Sequence, residues 1–120
     1  MGTLHIGHEA TVNLDDDLLE HVFAVVVAKL RRTEPMLLTW EDAACRYQQF
    51  LIPPGIPVRA DADTRRLEPL DRVWLESLMV AASSNSGLSL EMADLNRHTP
   101  TIPTSRVGAT RRRVRTPAAA

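Results

Sequence analysis

The sequence predicts a single small α+β domain, residues 1–92, followed by a disordered basic tail, residues 93–120. Two segments repeat their apolar residues at helical spacing, and short segments around them have the alternation or the β-branched and aromatic content of strands. The predicted order is strand-strand-helix-strand-strand-helix-strand. From residue 93 onward Thr, Pro, Arg and Ala dominate without a hydrophobic period, so this segment cannot bury enough apolar surface to offset its ordering entropy.

The N-terminal third contains a predicted strand pair and the longer predicted helix. Residues 3–14 alternate in part around Gly7, which permits the backbone angles of a tight turn. Aspartates at 15–17 and cations at 29–32 complement the dipole of the helix between them. The middle of this helix is apolar nearly all round, so we expect a sheet to cover one side and a partner subunit the other. One helical face carries Leu19, Val22, Phe23, Val26 and Leu30.

The middle of the chain contains further predicted strands. Residues 36–40 and 47–52 have strand-like composition, and residues 56–60 alternate apolar with polar side chains. Three prolines lie in residues 53–57, and a proline has no N–H to donate to a sheet. The strand pair that these prolines interrupt is therefore expected at a sheet edge or broken by a kink.

A second helix and a last strand complete the predicted domain. The helix is predicted over residues 67–84, with Pro69 near its start, where the missing N–H costs nothing. Gly87 is expected to take a left-handed conformation after its end. The alternation of apolar side chains at Leu88, Leu90 and Met92 predicts the final strand.

Composition points to a cytoplasmic protein. The single cysteine, Cys45, excludes an internal disulfide and favours a reducing compartment. The N-terminal residues 1–10 do not resemble a secretory signal, and the longest strongly apolar stretch, residues 22–28, is far too short to cross a bilayer. We therefore expect no membrane partner.

Three clusters invite a chemical interpretation, and for each a structural interpretation is favoured. Residues 29–32 could bind an anion, but the C-terminal end of a helix repels phosphate and attracts cations. Residues 15–17 could hold a hard cation, but adjacent carboxylates at a helix start point in different directions, which favours capping. His5 and His8 with Cys45 or His21 lack conventional zinc spacing, and nothing local activates the Cys45 thiol as a nucleophile beside His21. We therefore expect no catalytic residue, no metal and no cofactor.

The tail carries the strongest chemical signal. Residues 93–120 hold six arginines against one aspartate, a net charge of +5, whereas residues 1–92 hold eight basic against fourteen acidic residues, a net charge of −6. Arginine clusters bind phosphate backbones by releasing counterions, and without a base-reading element such binding is nonspecific. A solubilising tail, or contact with an acidic surface such as this protein's own body, are the alternatives. The candidate DNA- or RNA-binding residues are Arg106, Arg111, Arg112, Arg113 and Arg115.

Three runs of the chain resemble a family of short actinobacterial proteins of unknown function that are often catalogued as ATP-dependent DNA ligases. The runs are AKLRRTEPMLLTW, FLIPPGIPVRA and LDRVWLESLMVAASSNSGLSL, and the resemblance extends over residues 1–92. It implies a role in DNA end-joining, in which such ligases carry AMP on the lysine of a Lys-x-Asp-Gly motif. The only lysine here, Lys29, is followed by Leu-Arg-Arg, so that motif is missing.

These observations favour a noncatalytic interaction module that contacts nucleic acid through its tail. An accessory part of an ATP-dependent DNA ligase system, as the resemblance implies, and a protein-binding adaptor are the alternatives. A homodimer is also expected, either through the apolar helix face or through an open sheet edge.

Overall fold

Two three-stranded sheets and three helices form the body of the molecule. The computed structural model describes residues 1–97 of the 120-residue chain. The predicted α+β class is confirmed. In chain order the elements are β1 (Gly2–Ile6), β2 (Ala10–Leu14), α1 (Asp16–Arg31), β3 (Met36–Glu41), β4 (Tyr47–Ile52), β5 (Val58–Asp61), α2 (Arg72–Ala82), β6 (Leu88–Ser89) and α3 (Leu90–Leu95).

The first sheet has the strand order β2-β1-β5, with both pairings antiparallel. The predicted N-terminal strand pair is confirmed, and Gly7 turns the chain at a φ of 56°. This left-handed angle favours glycine over residues with a side chain. The Gly7 N–H donates to the carbonyl of Pro57 at 2.8 Å, which fastens the turn to the segment that leads into β5.

The second sheet has the order β4-β3-β6, in which β4 runs antiparallel and β6 parallel to β3. Although β4 and β5 follow each other in the chain, they lie in different sheets, and the proline-containing segment 53–57 connects them. Each is an edge strand of its sheet. The predicted edge position is therefore confirmed, but at two separate edges.

Helix α1 lies at the centre of the body. It packs against β1 and β5 of the first sheet, β3 of the second and the helix α2. Its buried apolar side chains include Leu19, Val22 and Val25, and no α1 residue is among the exposed large hydrophobic residues of the described chain. On the second side of this helix, for which a partner subunit was expected, Phe23, Ala24 and Val27 are half-buried, so the described chain covers that side only in part.

Compared with the predicted order, the structure has one more strand between α1 and α2 and the additional helix α3, and two elements differ most from their predicted bounds. Helix α2 starts at Arg72, five residues later than expected, because Asp71 caps it and Leu67 stays 88% exposed. The strand predicted over residues 88–92 is only Leu88–Ser89, and the short helix α3 replaces the rest. The Ser89 side chain starts this helix by accepting a hydrogen bond from the N–H of Met92.

The connection before β6 requires a glycine, as expected. Gly87 has a φ of 79°, and a Cβ at this position would lie 2.6 Å from the carbonyl oxygen of Leu37. Because α3 continues to Leu95 and Arg97 bonds Asp15, residues 93–97 of the predicted tail belong to the folded body, and the rest of the predicted tail, residues 98–120, lies outside the described chain. None of the helices described between residues 1 and 97 has the length and apolarity needed to cross a bilayer.

Candidate functional site

Arg97, just beyond α3, is the centre of the most elaborate polar cluster of the body. Its guanidinium donates to both carboxylate oxygens of Asp15, at 2.8 and 2.5 Å, and to Asp94 at 2.7 Å. A two-pronged contact of this kind suits the planar guanidinium, and it fixes the orientation of the side chain. The arginine side chain is only 18% exposed, so the end of α3 is held against the start of α1.

Two aromatic rings continue the cluster into the core. The Arg97 guanidinium carbon lies 5.0 Å from the centroid of Trp74, within the range of a cation–π contact. Trp74 donates its ring N–H to the carbonyl of Ala93 at 3.0 Å. The ring of His21 lies 4.2 Å from that of Trp74, tilted by 33°.

The fully buried His21 links α1 to the start of α2. Its Nδ1 lies 2.8 Å from the carbonyl oxygen of Asp17, and its Nε2 accepts from the N–H of Asp71 at 2.9 Å. Nδ1 therefore carries the proton of a neutral ring, and both nitrogens are occupied. With neither nitrogen free and no exposure to solvent, this histidine acts as a structural link.

Charge pairing shifts the ionisation of the two groups at the centre. The hydrogen bonds from Arg97 hold the pKa of the Asp15 carboxyl below its usual value, and burial opposes them only in part. The same bonds raise the pKa of Arg97. Both groups therefore stay charged throughout the physiological pH range.

An open cleft of about 480 Å³ adjoins this cluster. Its lining combines three carboxylates, Asn13 and Arg97 with four apolar side chains, those of Met1, Leu14, Leu18 and Leu90. Asp15 and Asp94 already pair with Arg97, and the arrangement contains no nucleophile next to a base. These ion pairs fix Arg97, the last described residue, to the body, so the effect of the cluster is mechanical.

One comparison with known proteins identifies the body. The family model described as a domain of unknown function, DUF7882, matches residues 1–93. The chain belongs to the DUF7882 family. The matched range agrees with the predicted extent of the resemblance, residues 1–92, while the ligase label stays a prediction. Neither the curated proteins nor the solved structures include a significant match to the chain.

The cationic end of α1 in this DUF7882 body is a structural feature. Lys29 is 7% exposed, and its ammonium donates to Glu34 at 3.2 Å and to the Ser83 hydroxyl at 2.9 Å. These contacts join the C-terminal ends of α1 and α2. Arg31 and Arg32 are exposed, so the interpretation of this cluster as a charged helix end is confirmed.

The three aspartates at the start of α1 serve three different partners. Asp15 is the N-cap residue but bonds Arg97, Asp16 lies 3.6 Å from the N-terminal ammonium, and Asp17 pairs with Arg66. They do not converge on a common point. Within residues 1–97, no group of three or more His, Cys, Asp or Glu side chains is placed to hold a metal ion. The aspartates therefore attach other segments to the helix start, instead of forming the cap that was predicted.

The remaining candidate residues are dispersed. His5 lies on the middle strand of the first sheet, opposite Thr11 and Arg59, and Cys45 is exposed in the turn between β3 and β4. The predicted nucleic-acid-binding residues lie outside the described residues. They are Arg106, Arg111, Arg112, Arg113 and Arg115.

Sequence reasoning missed the cluster around Arg97. That arginine was counted with the tail, although two aspartates anchor it to the body. They are Asp15, 82 positions earlier in the chain, and Asp94, 3 positions earlier. The one local signal was the spacing of Asp94 and Arg97, which suits a pair on adjacent turns of a helix.

Proposed function

We propose that this DUF7882 chain is a noncatalytic cytoplasmic interaction module that contacts nucleic acid nonspecifically through its C-terminal arginines. The single exposed cysteine is compatible with a reducing compartment. The proposed contact residues are Arg106, Arg111, Arg112, Arg113 and Arg115.

The observation that carries this proposal is the separation of charge along the chain. Residues 1–97 hold nine basic and fifteen acidic side chains, whereas residues 98–120 hold five arginines and no acidic side chain. Arg97, the only other arginine after residue 72, is paired with carboxylates of the body. The five arginines that follow have no acidic neighbours in sequence, and such clusters release the counterions of a phosphate backbone.

Several cations of the body are paired with its own carboxylates, and this supports the proposal. Arg66 and Arg97 are paired with carboxylates, and Lys29 is buried against Glu34. With a net charge of −6, the body repels a polyanion at low salt. Phosphate contacts are therefore expected from the tail alone.

Fluorescence anisotropy with the full-length chain tests the proposal. A labelled duplex of about 30 base pairs is titrated across a salt series, and five phosphate contacts predict a logarithmic salt slope of about −4 to −5. A variant with all five tail arginines changed to glutamine should lose this binding. Scrambling the duplex sequence should leave the affinity unchanged, since phosphates carry no sequence information.

A matched variant removes the same number of charges from the surface of the body. Five of its six exposed arginines are changed to glutamine, and its binding should fall far less than that of the tail variant, because no phosphate contact is lost and only the long-range repulsion by the body increases. Equal loss in both variants, or no binding by the wild type at low salt, would overturn the proposal; the second result would favour a protein-binding adaptor. The five positions are Arg31, Arg32, Arg46, Arg65 and Arg72.

The role implied by the ligase label is less well supported. Adenylylation needs a lysine amine that can approach a nucleotide, whereas Lys29 is buried and donates to Glu34 and Ser83. An accessory role in such a system remains compatible with nonspecific DNA contact. The predicted homodimer does not depend on either role; within residues 1–97 both of its expected surfaces remain, the half-buried apolar face of α1 with Phe23 and Val27 and the open sheet edge.

A further inference from the structure

The edge strand β4 exposes two large apolar side chains. Tyr47 is 65% and Leu51 61% exposed, and both point to the outer face of the second sheet, together with Gln49 between them. On its other side β4 pairs with β3, and within residues 1–97 nothing pairs with its outer edge. This strand thus presents two apolar side chains beside an edge with free backbone groups.

The hydrogen-bond pattern shows which backbone groups are free. The Asp42 N–H donates to the Arg46 carbonyl at 2.9 Å, at the turn that joins β3 to β4. In an antiparallel ladder such bonded pairs occur at every second residue. Gln48, Phe50 and Ile52 therefore bond to β3, and the N–H and C=O groups of the alternate residues point away from it. Those residues are Tyr47, Gln49 and Leu51, the same three whose side chains face outward.

The other three edges of the two sheets are protected against pairing. The strand β5 carries Arg59 and Asp61 and follows Pro57. The strand β6 has two residues, and beside it the Glu91 side chain accepts the N–H of Glu41 at 2.8 Å. The exposed side chains of β2 are polar. Charges, prolines and short length are the usual means of preventing strand association. The six residues of β4 include no charge and no proline, although Arg46 precedes and Pro53 follows them.

We propose that β4 is the docking surface for a second copy of this chain, paired antiparallel about a two-fold axis at Gln49. This register places Tyr47 opposite the partner's Leu51, and Leu51 opposite the partner's Tyr47. Each of these pairs, and the pair of Gln49 with the partner's Gln49, exchanges both backbone hydrogen bonds. Aromatic–aliphatic pairs across strands are favourable, and self-complementarity of this kind is what a two-fold interface requires.

Charge and area set the expected strength of this dimer. No like charges meet in the register, because β4 is uncharged and Arg46 falls opposite the partner's Ile52. Strand pairing contributes about six residues from each copy, whereas standard interfaces use roughly 20–30 a side. The dimer should therefore be weak and dependent on concentration, and this interface does not rest on the proposed nucleic-acid contact.

Disulfide trapping in the full-length chain tests the register. Cys45 is first changed to serine, and Gln49→Cys is added. Opposite residues of a bonded pair lie about 5.5 Å apart at Cα, within the range that a disulfide spans. Mild oxidation should then produce a covalent dimer on a non-reducing gel. The matched control is Thr11→Cys in the same background, an equally outward position on the edge strand β2, which should stay monomeric.

Sedimentation of chains without engineered cysteines gives an independent measurement. The wild type should show concentration-dependent dimerisation, which Gln49→Pro and Leu51→Gln should each abolish. The Gln49 N–H faces the free edge, so proline there removes no bond to β3, and Leu51→Gln changes an exposed side chain. A wild type that stays monomeric up to about millimolar concentration, a dimer that persists in both variants, or equal trapping at positions 49 and 11 would each overturn the proposal.

Discussion

Arg97 stabilises the body through two kinds of contact, ion pairs and a cation–π contact. It pairs with Asp15, whose side chain is 44% exposed, and it stacks on Trp74. Because the ion pair is partly solvated, it is worth about 0.2–1 kcal/mol, and a cation–π contact adds roughly 0.5–1 kcal/mol. We expect Arg97→Ala to lower the free energy of unfolding by about 1–2 kcal/mol near neutral pH, measured by urea denaturation.

The effect of this substitution should depend on pH. Folding lowers the pKa of Asp15, so its contribution to stability is complete above the ordinary aspartate pKa of about 3.9 and is lost as the pH falls through the folded value. The difference between wild type and Arg97→Ala should therefore shrink on acidification. In an Asp15→Asn background, which keeps a good N-cap residue, Arg97→Ala should cost less and its pH dependence should weaken. The same loss at neutral and acidic pH would contradict this assignment.

Residues such as His21 and Lys29 show what a helical pattern can and cannot predict. The pattern placed apolar side chains inward, and most of them are buried. It could not place these two polar residues inside, because their partners come from distant parts of the chain. Asp71 lies 50 positions from His21, and Ser83 lies 54 positions from Lys29. A polar residue is stable in a core only beside such partners, and those are determined by the tertiary fold.

At the scale of elements, α2 begins where Asp71 can cap it. The Asp71 carboxylate accepts from the N–H groups of Val73 and Trp74, at 3.0 and 3.2 Å. We expect Asp71→Ala to destabilise the body by about 1 kcal/mol, within a range of about 0.5–2, as measured by thermal and urea unfolding. Asp71→Asn is the matched control, since asparagine caps equally well and keeps the backbone N–H that bonds His21. Equal destabilisation by both substitutions would show that the carboxylate charge, and not capping, matters.

The elements that sequence patterns predicted well are those defined by local interactions. The strands of the N-terminal hairpin are joined by a glycine turn, and β3 and β4 are bounded by turns and prolines. The prediction of the last element was wrong because the spacing of Leu88, Leu90 and Met92 fits both the two-residue period of a strand and the start of a helix. Pairing of Leu88 with Leu38 of β3 makes the first two residues a strand, and the Ser89 cap makes the rest a helix. The boundary between β6 and α3 depends on a nonlocal pairing, so the alternation of side chains alone could not predict it.

At the scale of the whole molecule, the two proposals describe one arrangement. Each copy combines an acidic body with five arginines beyond residue 97. Pairing through β4 would join two such tails in one particle. When one tail of such a dimer binds a polyanion, the second tail is held near the same polyanion at a high effective concentration. Two linked tails therefore bind it more tightly than two separate tails. By linkage, a duplex that engages both tails must in turn favour the dimer.

This coupling predicts that nucleic acid increases disulfide trapping through β4. In the Cys45→Ser, Gln49→Cys chain, a duplex of about 40 base pairs should raise the yield of covalent dimer at a fixed protein concentration. High salt should remove the increase, and so should changing the five tail arginines to glutamine, because both abolish the phosphate contacts. Thr11→Cys in the Cys45→Ser background controls for crowding of chains on the duplex, and its trapping should stay low. If trapping rises equally at positions 49 and 11, the duplex merely concentrates the protein; if it rises at neither although the duplex binds, the tails act independently of β4.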